Sequence, residues 1–243
     1  MSRRKTGRIM HAAVLSVLLV AVTACSSGNA GTGAATSEST AGATSHERLP
    51  AEGSAEAGFT RDMSVHHAQA VAMAEAIRDR TSDPDLKLLA TNIALGQQGQ
   101  IGRMSGWLDE WGLDQTSTAT PMAWVRADNL LPGTSGTGGT TGGTSMAGMD
   151  MGGGMALLPD GRMPGMATRP QVSALGTLPV ADAETAFLQL MIAHHKAGVD
   201  MAEAVLARSD RSDVVQLATS IVNGQQAEIA LMTNMLAKRG ITS

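Results

Sequence analysis

The sequence predicts an all-α protein, a four-helix bundle made from two copies of one helical hairpin. Three observations carry that reading. A segment of about 50 residues recurs at an offset of 128 without a gap. Apolar residues inside each copy follow a three-to-four spacing. Turn signals stand at matching places in the two copies, at Thr81-Ser82-Asp83-Pro84 and at Ser209-Asp210.

The repeat pairs FTRDMSVHHAQAVAMAEA, from Phe59, with FLQLMIAHHKAGVDMAEA, from Phe187. Phe59 matches Phe187, Met63 matches Met191, and His66-His67 match His194-His195. Val71, Met73 and Glu75 match Val199, Met201 and Glu203. Further on, Leu89, Ile93, Gln97-Gln98 and Met104 match Leu217, Ile221, Gln225-Gln226 and Met232. An offset this long excludes a solenoid and indicates a duplicated hairpin.

The first helix is expected from about Phe59 to Arg80, because Ala and Met fill it and Ala68, Ala70, Ala72, Ala74 and Ala76 give strong helix propensity. Thr81-Ser82-Asp83-Pro84 is a stop and restart, with Ser82 or Asp83 as cap and Pro84 in the first turn. The second helix runs to about Trp111, before Gly112. The second copy repeats this from about Ala181 to Ala207 and from about Arg211 to Lys238. Gly240 is its stop signal. One hairpin cannot bury its apolar stripe, whereas two can bury theirs together. The domain plan is therefore a first hairpin at 59–111, a crossover at 112–180 and a second hairpin at 181–239. From Gly133 to Gly154 the crossover is nearly all Gly, Thr and Met, too rich in Gly to pack as a helix.

The amino terminus reads as an export signal. Arg3, Arg4, Lys5 and Arg8 precede an apolar run from Ala12 to Ala24 that is short for a membrane span. Cys25, the only cysteine, follows Val22-Thr23-Ala24. This resembles the lipobox of bacterial lipoproteins, which implies cleavage after residue 24 and lipidation of Cys25. Residues 25–58 then begin with a Ser/Gly/Ala/Thr-rich tether. The expected location is the extracytoplasmic face of a membrane, held by the lipid.

Composition excludes several classes. A single cysteine leaves no internal disulfide and no thiolate metal cluster. The whole chain has a formal charge of -4 with 18 basic and 22 acidic residues. Loss of the signal removes four basic residues and no acidic one, leaving -8. With no basic excess, two Phe, three Trp and no Tyr, nucleic-acid binding is excluded. No Ser-His-Asp or Cys-His set can be assembled, so the chain reads as a non-enzyme. A di-iron oxidase requires Glu-x-x-His, which the histidine helices lack.

The chemistry centres on the paired histidines. Neighbours on a helix point about 100 degrees apart, so one histidine of each pair is expected inward and the other at the edge of that face. Met63, His66, Ala70 and Met73 form one line, and Met191, His194, Gly198 and Met201 the equivalent line. The candidate metal ligands are His66, His67, His194, His195, Met63, Met73, Met191 and Met201. Imidazoles with thioethers suit copper, and Met favours the monovalent ion. Asp62 lies one turn before His66 and suits a harder ion, but Leu190 replaces it in the second copy. Counting outward from each turn sets His67 level with Gln98 and His195 level with Gln226. Gln97, Gln98, Gln225 and Gln226 are therefore expected to hold the imidazoles and fix their tautomers. Glu228 stands at a similar level, where the first copy has Gln100. A second candidate set is Met146, Met149, Met151, Met155, Met163 and Met166. These thioethers lie in a Gly-rich stretch that core packing explains poorly, and they can wrap Cu(I) or Ag(I). The competing reading is a structural or partner-binding envelope lipoprotein that carries no metal.

The run from Phe187 through Met201-Ala202, the Gln225-Gln226-Ala227-Glu228-Ile229 segment with Met232, and MPGM at 163–166 resemble the bacterial family named domain of unknown function 305. The resemblance covers about 59–111 and 163–238. It implies a ferritin-like fold, and an association with periplasmic copper binding and resistance in some members. The first copy departs from the family pattern at Gln69-Ala70 and at Gln100, which makes the second copy the better candidate if only one is functional.

Overall fold

The computed structural model describes residues 48–125 and 155–241. Among them are five helices and no strand. These are α1 (Ala55–Arg78), α2 (Pro84–Trp111), α3 (Arg169–Ala174), α4 (Val180–Leu206) and α5 (Ser212–Lys238). The signal segment, Cys25 and most of the tether lie outside the described residues, as do Met146, Met149 and Met151.

Each boundary has a local cause. α1 starts before Phe59, because the Ser54 hydroxyl accepts from the Ala57 N–H at 3.2 Å and caps it. Asp83 caps α2 by accepting from Asp85 and Leu86, with Pro84 in the first turn. Gly112, in the left-handed region at φ 68°, ends that helix. α3 lies inside the crossover, where the sequence reading placed no helix. It is held by a reciprocal cap between Thr168 and Gln171. Six residues are too few for apolar periodicity to reveal.

α1 packs on α2, α4 packs on α5, and the hairpins join along α1 and α4. The core forms two clusters. One gathers Met73, Ile77, Leu86, Phe187, Met191 and Leu236. The other gathers Phe59, Met63, Met104, Met201, Val205 and Leu217. Residues early in α1 thus meet residues late in α4, so the two helices run in opposite directions. The histidines lie between the clusters, since His66 falls between Met63 and Met73 and His194 between Met191 and Met201. Each buried Phe contributes about 1.5–3 kcal/mol of transfer free energy.

The crossover from Met155 onward lies against the second cluster. Met155 and Met163 are buried in the second cluster, and Met166 packs against it. That corrects the expectation that core packing explains them poorly: the Gly-rich composition does not extend to their side-chain environment. At the other end, the Arg239 guanidinium bonds Asp83 at 2.7 Å and Glu184 at 3.2 Å. The end of α5 is thereby tied to both hairpins.

Candidate metal centre

All four paired histidines are fully buried. The expectation of one inward and one edge histidine per pair is corrected here. α1 is covered on two sides, so both directions available to adjacent side chains lead into protein. His66 turns toward α4, where its ring stacks on that of His194 with centroids 3.7 Å apart. His67 turns toward α2, where its Nε2 meets Gln100 Oε1 at 2.7 Å. His195 turns toward α5 and meets Glu228 Oε2 at 2.7 Å.

The Nε2 atoms follow one rule. His66 Nε2 faces the Pro164 carbonyl at 3.2 Å, and His194 Nε2 faces the His66 carbonyl at 3.0 Å. A carbonyl oxygen only accepts, so in both cases Nε2–H donates. The same tautomer satisfies His67 against the Gln100 oxygen and His195 against Glu228. In His66, His67 and His194 the proton is therefore on Nε2 and the lone pair on Nδ1. None of the four buried Nδ1 atoms has a hydrogen-bond partner. A ring that donates one N–H to an oxygen while its other nitrogen is bare is arranged as metal-binding histidines are.

Burial sets the charge state. It pushes His66 down to about 4 and His67 to about 3, from an ordinary 6.5. His194 is also driven well below that value by burial, with His66 beside it adding to the effect. These imidazoles are uncharged at neutral pH and free to donate a lone pair. Met63, Met73, Met191 and Met201 are fully buried on the same two helices. Among the described residues, no group of three or more His, Cys, Asp or Glu comes together in a metal-holding arrangement. Met73 and Met191 lie in one apolar cluster and Met63 and Met201 in the other, on either side of the imidazoles along α1 and α4, and Glu228 is the carboxylate bonded to His195.

The glutamines are corrected in detail. Gln98 and Gln226 are exposed, and the histidine partners are Gln100 and Glu228. Counting from the turn gives height along the hairpin but not direction around the helix, and a shift of two residues reverses the face. Gln97 and Gln225 do point inward, 4% exposed, but their amide nitrogens and oxygens have no partner. Asp62 is engaged elsewhere. Its Oδ2 accepts from the Met122 N–H at 2.6 Å and from Trp124 Nε1 at 2.8 Å, holding the 120–125 turn.

Three positions beside the histidines were given no role from the sequence. Gln69 clasps Ala167 with both amide atoms: its Nε2 donates to the carbonyl at 3.0 Å and its Oε1 accepts from the N–H at 2.6 Å. Pro164 supplies the carbonyl over His66. Gly165, at φ 73°, lies so close to α4 that a Cβ there would stand 2.6 Å from Ala197 Cβ and 2.7 Å from the Ala193 carbonyl. The only advance signal was the departure between copies, Gln69 against Ala197, read together with MPGM.

Comparison with known proteins decides the family. The model of the domain of unknown function DUF305 matches residues 56–236. The chain belongs to the DUF305 family. A DUF305 protein from Streptomyces coelicolor is 40% identical, with a TM-score of 0.63 over 79% of this chain and 98% of that one. A DUF305 fragment from Deinococcus radiodurans is 29% identical, with a TM-score of 0.55 over 76% of this chain and 96% of the fragment. CopM in its Cu(I)-bound form is 22% identical, with a TM-score of 0.50 over 74% of this chain and 94% of CopM. At that identity the likeness concerns the DUF305 fold alone. A curated relative, uncharacterized protein L153 of Acanthamoeba polyphaga mimivirus, is 42% identical over 52 residues. That match takes in 21% of this chain, which spans about a third of the viral protein's length.

Proposed function

We propose that this protein is a membrane-anchored, extracytoplasmic copper-binding protein that holds Cu(I) for sequestration or homeostasis. The observation that carries the reading is the set of four bare, buried Nδ1 atoms on rings whose Nε2–H atoms are all engaged. A buried polar atom without a partner costs about 1–3 kcal/mol, and a coordinated cation would relieve that cost at each Nδ1 it reaches. Neutral imidazole with buried thioether is a soft donor set, which selects Cu(I) over hard cations. CopM, which shares the fold, has structures in a Cu(I)-bound and in a silver-bound form. His66, His67, His194 and His195, with Met63, Met73, Met191 and Met201, are the residues that would hold the ion. Gln100 and Glu228 would fix the outer two rings. The buried Met155 and Met163, with Met166 beside them, back the Met63 and Met201 end of the layer.

The location rests on the basic and apolar leader, on Cys25, and on the Streptomyces coelicolor relative, whose name places it among secreted proteins. No helix among the described residues is long and apolar enough to cross a membrane, so attachment would fall to the lipid on Cys25. We assign no catalytic role.

The test is an anaerobic titration with Cu(I) against a coloured chelator of known affinity, with X-ray absorption at the copper edge. Binding tighter than about micromolar, with nitrogen and sulfur scatterers, is the expected result. His66→Leu/His194→Leu should abolish it while the helical circular dichroism persists. Binding no tighter than micromolar in the native chain would sink the copper reading. It would leave the structural alternative, in which the same Nε2 bonds simply satisfy core histidines.

A further inference from the structure

The four imidazoles are sealed, so an ion needs a way to them. On the α1 and α4 side the crossover closes the layer, with Pro164 over His66 and the Gln69 clasp on Ala167. Between α2 and α5 there is instead a cleft of about 70 Å³. Its lining includes Gly96, Gln97 and Gln100 from α2, and Gly224, Gln225 and Glu228 from α5. These are the same three positions in each copy, so the cleft straddles the internal two-fold.

We propose that the α2–α5 cleft is the loading vestibule of the metal centre, where an incoming cation exchanges water for side-chain oxygens before it reaches His67 and His195. The inference rests on the copper reading above and adds a route to it.

Three features carry it. Gln100 and Glu228 line the cleft and also bond the Nε2 atoms of His67 and His195, so the cleft wall is in direct contact with the imidazoles. Gln97 and Gln225 are nine-tenths buried or more, face the cleft, and keep amide oxygens and nitrogens without partners. Such groups are costly in a dry wall and serviceable where a hydrated ion passes. The Gln225 amide oxygen also reaches the space left by Gly198 on α4, four residues after His194. Oxygen donors hold a soft monovalent ion weakly, so they suit a stage on the way and not the destination. The acidic side chain of Glu228 biases the vestibule toward cations.

The glycines make the idea breakable. A Cβ at Gly96 or at Gly224 meets no atom within 4 Å, so a larger side chain fits the helix there and fills the cleft. Gly99 on α2 is equally open but does not line the cleft, and provides the control. The full chain is mixed rapidly with the Cu(I) complex of a coloured chelator, and colour loss gives the loading rate. Excess chelator added to the loaded protein gives the release rate. In Gly96→Leu/Gly224→Leu both rates should fall about tenfold while the final partition of copper stays as in the native chain, because a blocked path changes kinetics and not equilibrium. Gly224→Leu alone should slow both rates less, and Gly99→Leu should match the native chain. Native rates in the filled variant would overturn the vestibule and leave copper binding intact. A partition that falls with the rates would also overturn it, making the cleft part of the final site. Failure of the native chain to take copper at equilibrium would remove the copper reading itself, and the vestibule with it.

Discussion

The two copies of the hairpin share a plan and divide the work. In the first, His67 bonds the neutral Gln100, Ala70 fills the helix face, and Gln69 grips the crossover. In the second, His195 bonds the acidic Glu228, and Gly198 makes room for the Gln225 amide. There Ala197 stands where the first copy has Gln69, and is small enough for Gly165 to settle on α4. One copy anchors the loop and the other receives it and carries the charge. A duplicated site therefore need not be two equal sites, and the residues that depart from the repeat are those with separate tasks.

Acid breaks the fold first and most severely. The unfolded chain titrates its histidines near 6.5, whereas folded His66 and His67 titrate at about 4 and about 3, and His194 also well below 6.5. Below pH 6.5 the unfolded state binds more protons. Stability is therefore complete above that value and drains away as pH falls toward 4 and 3. Urea unfolding measured between pH 7 and 3 should show that loss; a flat profile down to pH 4 would contradict it. Gln100→Glu sharpens the comparison, because it gives His67 the partner that His195 has. The variant should keep more of its stability at pH 4 than the native chain does.

Glycine substitutions separate the copies next. Gly165→Ala combines a left-handed φ with backbone and Cβ contacts that cannot retreat, and should cost about 3 kcal/mol. Gly198→Ala meets only the end of the Gln225 side chain, and the first copy already has Ala70 there, so about 1 kcal/mol is expected. Chemical denaturation of both variants decides, and equal losses would deny the close seating of the loop. Gln69→Ala, which writes the second copy's residue into the first, should cost about 2 kcal/mol through two lost bonds to Ala167. Faster amide exchange confined to 163–168 is its signature. Glu228→Gln makes the second copy resemble the first and should shift stability by less than about 1 kcal/mol, since its side chain reaches solvent. A larger change in the thermal midpoint would mean that the carboxylate holds more than His195.

The bundle was readable because duplication and helical spacing report the same thing twice. The offset that pairs His66 with His194 in the sequence also pairs them in space, ring on ring. Turn chemistry at Asp83-Pro84 and Gly112 set the α2 limits. The candidate centre was readable in its histidines and helix methionines, and less so in its supports. Glu228 was named as a support and Gln100 as its counterpart, but Gln98 was preferred to Gln100 because height along a hairpin does not fix direction around a helix. The crossover was hardest. Pro164 and Gly165 act through backbone placement, and no periodicity announces where a loop will lie. Met155 and Met163 are core residues because the loop comes down on α1 and α4, which composition alone cannot tell.

The seating of one crossover on α1 and α4 bears on how such a molecule could assemble. Two separate hairpins pairing through that face would form an isologous dimer, with every contact made twice. Each would bring its own copy of the MPGM loop, yet the face between the stacked rings offers one seat: Pro164 takes the His66 ring, and the His194 ring turns to the His66 carbonyl. Tandem fusion resolves that competition, because a single polypeptide carries two hairpins and one loop. The stoichiometry of the lid is thus written into the gene rather than left to association.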